Sequence, residues 1–264
     1  MLLDIEPVAP LNTIFDSHAH YDDDIFDDVR EDLLQTLPKY GVAYVINNAV
    51  DCKESAQKCI GMSHDYDYCY TAIGVHPLNL EDNGPLDTAL LTELLKTPKV
   101  VAVGEIGLDY HYTPETKPQQ LELFEKQLIL ANELKLPVIV HDREAHADTL
   151  ELLEKHRPTG VLHCFSGSVE MARDVLNLGM YIGVGGVVTF KNAKKLVEIV
   201  KMLPDERLLL ETDAPYLTPV PYRGKICNSA YISVTAARIA EIKGYSTDKV
   251  LQLALENAKR LYKI

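Results

Sequence analysis

The sequence predicts an α/β protein, a closed barrel of eight parallel strands alternating with helices, on three observations. Eight short apolar, β-branched runs recur along the chain. Longer stretches with helical spacing separate them, and no Asn-Gly turn joins two runs directly. Strands joined through helices pair in parallel by crossovers, and eight such units fit 264 residues.

The strand candidates, in order, are Ile14-Phe15 into Asp16, Val42 to Ala49, Tyr68 to Val75 and Val100 to Ile106. Val138 to His141, Gly160 to Phe165, Tyr181 to Val188 and Leu208 to Thr212 complete the set. Between the fourth and fifth runs, Pro118 to Leu136 carries Leu121, Phe124, Leu128 and Ala131 on one helical stripe, with Glu122, Glu125 and Lys126 off it. Ser168 is placed to cap a helix that Gly179 stops, and Pro204 ends another that starts at Lys191. Gly244 separates two terminal helices, Ser229 to Lys243 and Thr247 to Tyr262. Ala214 to Cys227 holds three prolines and no periodicity, so it reads as a long loop after the last strand. The expectation is a single (β/α)8 TIM barrel spanning residues 1–264. An open doubly wound sheet is the runner-up, weakened by the lack of a Gly-rich dinucleotide fingerprint after the first strand.

Composition narrows the function. Thirty-nine acidic against 26 basic residues give a net charge of −13, which argues against a protein that simply coats nucleic acid. An enzyme that visits nucleic acid briefly is compatible, since bound metal ions and a few basic groups can supply a local positive field. Five cysteines without a CxxC pair favour a reducing compartment over a disulfide scaffold. The first residues carry Asp4 and Glu6 and no basic cluster, so a cytoplasmic protein is expected. No apolar run nears the roughly 20 residues of a membrane span, so no membrane association is expected. Nothing points to an obligate protein partner.

Metal-ligand residue types fall where the runs end. His18 and His20 follow the first run; residues two apart in an extended chain face the same way. Glu105, His141, His163 and Asp213 fall at the ends of the fourth, fifth, sixth and eighth runs. In a parallel barrel these ends converge on one mouth. Singly, each residue reads as readily as a cap or core group; together they form a divalent-metal set. Six ligands exceed the roughly three that one open catalytic ion uses, so two divalent ions are expected. Imidazole plus carboxylate admits Mg, Mn, Zn or Ni. Glu105, whose two oxygens can serve two ions, is the natural bridge, and no lysine between Val100 and Gly107 can replace it.

The chain resembles the TatD-related metal-dependent deoxyribonucleases of the amidohydrolase-like barrels. The matching segments run in order over nearly the whole chain: DSHAHYD (16–22), GVHP (74–77), VGEIGLDYHY (103–112), VIVHDREA (138–145), HCFSGS (163–168), GVGGVVTFKNAKKL (183–196), ETDAPYLTP (211–219) and PYRGK (221–225). The resemblance implies His18, His20, Glu105 and Asp213 around one ion, and Glu105, His141 and His163 around a second. It also implies DNA as a transient substrate, cut at an end or on single strands. One departure stands out: the family's Asn-Glu-Pro after PYRGK is replaced by Cys227-Asn228-Ser229-Ala230, a change expected to bear on the substrate edge.

Roles follow from chemistry. Glu105 and Asp213 are the catalytic candidates, Asp213 as general base or as ligand only. His76, Arg143, Arg223 and Lys225 are the substrate-binding candidates, His76 by direct contact or by orienting a neighbour, unless it is simply placed there by Pro77. Tyr110, Tyr112 and Tyr222 either stack bases or simply pack. Cys164 reads as a buried thiol, and Asp22, Asp23, Asp24, Asp27 and Asp28 as a solvated acidic run. The same ligand set also serves carbonyl chemistry, so an ester or amide hydrolase such as a D-aminoacyl-tRNA deacylase is the alternative. A single-metal deaminase leaves Glu105 without a role, and a non-catalytic binding barrel does not explain a complete ligand set.

Overall fold

In the computed structural model, which describes residue 10, residues 12–80 and residues 86–264, eight strands form one sheet in sequence order. They are β1 (Ile14–Ala19), β2 (Val42–Ala49), β3 (Cys69–Ile73), β4 (Val100–Asp109), β5 (Val138–Arg143), β6 (Gly160–Leu162), β7 (Tyr181–Val184) and β8 (Leu208–Leu210). Every neighbouring pair is parallel. The ends nearly close: Ala19 bridges Ala214, and the Asp213 N–H donates to His18 O at 2.9 Å. The fold is a (β/α)8 TIM barrel.

Among the described residues, helices alternate with the strands and two more follow β8. They are α1 (Arg30–Thr36), α2 (Glu54–Asp65), α3 (Thr88–Leu94), α4 (Lys117–Leu134), α5 (His146–His156), α6 (Val169–Asn177), α7 (Lys194–Met202), α8 (Ile232–Lys243) and α9 (Thr247–Tyr262). Ser168 caps α6 by accepting from the Met171 N–H, as its sequence position predicts. Lys135, at φ 57°, ends α4, and Gly244, at φ 70°, ends α8. Ser229 lies in a 3-10 turn that leads into α8 rather than in α8 itself. Among the described residues no helix is long and apolar enough to cross a membrane. All five cysteines are free thiols.

Inside the barrel each strand contributes one apolar side chain to a common layer: Phe15, Ile46, Ala72, Ala102, Ile139, Val161, Tyr181 and Leu209. Ala258, Leu261 and Tyr262 of α9 pack against this layer. A strand repeats its facing every two residues. The residues two further along are therefore aimed at the next layer up, towards the C-terminal ends of the strands. His141 follows Ile139, His163 follows Val161 and Glu211 follows Leu209 in this way.

Several strand limits differ from the sequence expectation, and the reasons matter for the site. β4 runs past Ile106 to Asp109, so Glu105 lies within the strand and not at its end. β6 stops at Leu162, because Cys164 adopts φ 43° and its N–H turns to the Glu211 carboxylate at 2.5 Å. β7 stops at Val184 and gives way to a 3-10 turn at Gly186–Thr189.

Two buried glutamines of α4 fix the neighbouring loops. Gln127 grips both backbone groups of Val75, at 2.8 and 3.0 Å. Gln120 accepts from the Asp109 N–H at 2.7 Å and donates to Asp109 O at 2.9 Å. Polar residues on a buried helical face thus replace apolar packing where loop backbone needs partners.

Candidate metal centre at the barrel mouth

The six residues expected as metal ligands meet at the mouth. His18 and His20 leave β1 with their Nε2 atoms 3.0 Å apart. Both atoms lie 3.3 Å from Glu105 Oε2 and 3.6 Å from Asp213 Oδ1. On the other side, Glu105 Oε1 lies 2.9 Å from His141 Nδ1 and 2.7 Å from His163 Nε2, which are themselves 3.4 Å apart. The two oxygens of one carboxylate therefore face two separate sets of imidazole nitrogens.

The tautomers show what this arrangement lacks. His20 Nδ1 sits 2.9 Å from Asn48 O, and a carbonyl only accepts, so Nδ1 carries the hydrogen and Nε2 offers a lone pair inward. His141 Nε2 sits 3.1 Å from Asp109 Oδ2, so its Nδ1 lone pair likewise points inward, at Glu105. Lone pairs thus face lone pairs around two points, and only protons or cations between them satisfy the set. Ligand atoms about 2.0–2.2 Å from a shared cation sit about 2.8–3.6 Å from one another. All the distances here fall in that range except the 2.7 Å between Glu105 and His163, which lies just below it, so these residues fit divalent metal ions.

Without a cation, protons do the balancing. Against the cost of burial, the imidazoles of His163, His18 and His76 hold the Glu105 carboxyl well below its ordinary range. Burial works against a charged His141, yet Asp109 and Glu105 raise it to about 9. Burial likewise opposes a charged His20, and Asp213 and Glu105 overcome it. Burial and the neighbouring His163 lower His18 to about 4. A metal ion would have to displace the protons shared among these groups.

His76 differs from the ligand-type histidines. Its Nδ1 accepts from the Leu78 N–H at 3.2 Å, so its Nε2 presents an N–H, not a lone pair, 3.6 Å from Glu105 Oε1. Burial lowers it to about 3, leaving a neutral donor beside the centre. Arg143, exposed at the end of β5, lies over the Tyr112 ring at 4.9 Å. Arg223 and Lys225 are held by their own segment: Arg223 donates to Thr218 O and covers Phe190, while Lys225 lies over Tyr222. Neither is brought against the imidazole cluster by these contacts.

Some neighbours were not recognised from sequence. Asp109 orients His141, and a signal existed, since 105, 107 and 109 share the strand's period of two. Glu211 lies directly below Asp213 on the same parity; it is buried, and burial raises it to about 8. Gly183 makes room for it, because a Cβ there would meet the Glu211 carboxylate. Asp16 ties β1 to the chain's far end, accepting from Thr212 Oγ1 at 2.6 Å and Ser229 Oγ at 2.7 Å.

Three expectations are corrected. Asp22 is buried and bonded to Ser55 Oγ at 2.5 Å, so it does not belong to the solvated acidic run. Cys164 is half-buried, not buried, because its left-handed backbone breaks the strand alternation. The departure at Cys227 to Ala230 lies in the packed interior, with Ser229 bonded to Asp16 and Tyr21, rather than on the substrate edge.

Known proteins are similar to this chain in sequence and in fold. The sequence pattern of the family described as TatD related DNase matches residues 15–263. An uncharacterized metal-dependent hydrolase, YabD of Bacillus subtilis, is 40% identical over 254 residues, covering 95% of this chain and 99% of its own. Another, YcfH of Escherichia coli, is 40% identical over 260 residues, covering 95% and 96%. The crystal structure of YjjV, a TatD homologue from E. coli, superposes with a TM-score of 0.90 at 33% identity, covering 97% of this chain and all of that one. A TatD-family hydrolase from Entamoeba histolytica gives 0.82 at 27% identity, covering 96% and 99%. With the family pattern matched across almost its full length, the chain belongs to the family described as TatD related DNase and is a metal-dependent hydrolase.

Proposed function

We propose that the protein is a metal-dependent deoxyribonuclease that hydrolyses phosphodiester bonds from a DNA end, using two divalent ions. The observation that carries the reading is Glu105, whose Oε2 faces His18 and His20 while its Oε1 faces His141 and His163. That arrangement suits a bridging carboxylate. His18, His20 and Asp213 would complete one ion's shell, and His141 and His163 the other's. The family description supports DNA as the substrate class.

Divalent ions there would supply Lewis-acid polarisation of the phosphoryl group and lower the pKa of the attacking water. The chain's own groups do the rest. Asp213, with its side chain 19% exposed towards the mouth, accepts the water's proton. Glu105, His141 and His163 stay fixed through Asp109 and the β5 and β6 strands, so no reorganisation is needed when charge develops. The His76 N–H donates to an oxygen of the reacting group. Arg143 provides positive charge at the rim of an otherwise acidic protein.

The test follows end-labelled single-stranded DNA with Mg²⁺ or Mn²⁺, with and without chelator, for wild type and Glu105→Ala. The expected result is chelator-sensitive shortening from one end, reduced in the variant by more than the roughly 10–100-fold typical of outer-shell changes. Hydrolysis of a mischarged tRNA without any cutting of DNA would overturn the phosphodiester reading in favour of carbonyl chemistry.

A further inference from the structure

Of the three tyrosines that the motifs place near the mouth, only one is open to a ligand. The Tyr110 hydroxyl donates to Asp148 at 2.7 Å, and Lys117 covers its ring at 4.8 Å. Tyr222 packs on Tyr231 with ring centres 5.1 Å apart. Tyr112 is 59% exposed, an unusual state for a large aromatic side chain.

Its position is fixed with respect to the metal centre by one carboxylate. Asp109 Oδ1 accepts from the Tyr112 N–H at 2.9 Å and the His111 N–H at 3.0 Å, while Oδ2 holds His141 Nε2 at 3.1 Å. Two hydrogen bonds therefore separate the Tyr112 backbone from an imidazole of the centre. Gln120 tethers the following turn through Thr113 O at 2.9 Å. The ring itself is held between neighbours: His111 meets it edge-on at 4.7 Å, and the Arg143 guanidinium lies over it at 4.9 Å. Asp109 pairs with Arg143 across β4 and β5, and the Tyr110 N–H bonds Arg143 O at 2.9 Å, so both partners ride on paired strand ends. Charge at this corner is mixed: the Arg143 guanidinium lies over the ring, while Glu144 pairs with His111 Nδ1 at 2.9 Å. Tyr216 bonds Asp23 at 2.7 Å beside an acidic segment, which disfavours a phosphate backbone.

We propose that Tyr112 and Arg143 together form the base-binding platform of the site. An unpaired base of a single-stranded nucleic acid stacks on the exposed part of the Tyr112 ring, and Arg143 meets the adjoining phosphate. This inference rests on the phosphodiesterase reading above. A preorganised aromatic ring beside a guanidinium is the combination that grips a single strand without reading its sequence. Because a paired base cannot offer its face to the ring, the platform selects frayed or single-stranded ends over blunt duplex.

The test compares a single-stranded oligonucleotide with an identical one whose last three residues at both ends are abasic. Wild type, Tyr112→Ala and Tyr112→Phe are assayed as metal-loaded enzymes. In wild type, removing the terminal bases should raise KM by about tenfold. Tyr112→Ala should erase that difference, bringing KM for the intact strand up to the abasic value. Tyr112→Phe should preserve it, since the stacking face is kept. Equal losses on both substrates in Tyr112→Ala would make Tyr112 a structural prop and overturn the platform. Wild-type enzyme that discriminates no terminal bases would overturn it too. Wild-type enzyme that cuts neither substrate with any metal would instead overturn the phosphodiesterase reading, and the platform's role with it.

Discussion

Two layers of the same barrel, two residues apart along the strands, are built on opposite principles. The lower layer is apolar: Phe15, Ile139, Val161 and Leu209 meet one another and the end of α9. The upper layer replaces these with a buried Ser17, a half-buried His141, and His163 and Glu211, both buried, and adds Glu105. Burying apolar surface stabilises; burying charge costs unless it is paired. The strands therefore carry stability in one layer and chemistry in the next, and the ladder of backbone hydrogen bonds transmits the rigidity of the first to the second. Several upper-layer atoms, including His163 Nδ1 and Glu211 Oε2, are buried without a hydrogen-bond partner. The lower layer has the Tyr262 hydroxyl as its one counterpart among those atoms.

The sharpest way to break this contrast is Phe15→Ala. Phe15 is fully packed, stacked on Tyr44 at 5.2 Å and on Tyr262 at 6.0 Å. Its loss should destabilise the fold by about 3–5 kcal/mol in denaturant unfolding, with kcat per folded molecule preserved. A fall in kcat on the same scale would show that the layers are not separable. Next in size is Asp109→Asn, which acts on the upper layer alone. The amide carbonyl can still accept from Tyr112 and His111, but the amide nitrogen now opposes His141 Nε2–H. The ring must switch tautomer or rotate, which removes the inward lone pair. Metal affinity measured by calorimetric titration should fall about 10–100-fold with little change in melting temperature. Unchanged affinity would mean that Asp109 does not set the His141 tautomer.

What the sequence revealed divides along the same lines. The barrel and the convergence of His18, His20, Glu105, His141, His163 and Asp213 were legible because a period of two and the parallel rule need only local pattern. The partners that orient these groups were less legible. Asp109 and Glu211 share parity with recognised residues, yet nothing local says that one carboxylate binds an imidazole and the other a backbone N–H. Asp22 looked like part of an acidic run; only Ser55, 33 residues away, explains its burial. Asp16 depends on Thr212 and Ser229, some 200 residues further on. The end of β6 escaped because the left-handed Cys164 answers to Glu211, across β7 from its own strand.

The smallest expected effect concerns the segment that leads into the lower layer. Asp205, just before β8, accepts from Lys243 Nζ at 3.0 Å and from the Tyr245 hydroxyl at 2.9 Å. Its backbone carbonyl accepts from Asn257 of α9 at 2.7 Å. Burial opposes ionisation here, but the Lys243 pair and the tyrosine bond win and hold the carboxyl below its ordinary value. A depressed carboxylate contributes stability that is complete above the unfolded value of about 3.9 and is lost as pH falls through the folded one. The side chain is 29% exposed, so the contribution should be on the order of 1 kcal/mol. Melting temperatures of wild type and Asp205→Asn should therefore differ at pH 7 and converge as the pH drops below about 4. A gap that stays constant with pH would mean that Asp205 acts through its amide-compatible hydrogen bonds and not through its charge. In that case the clamp on α9 is a matter of shape, and acid sensitivity of the fold originates in other carboxylates held below their ordinary values, such as Glu105 and Asp213 at the mouth or Asp148 and Glu125 on the helices.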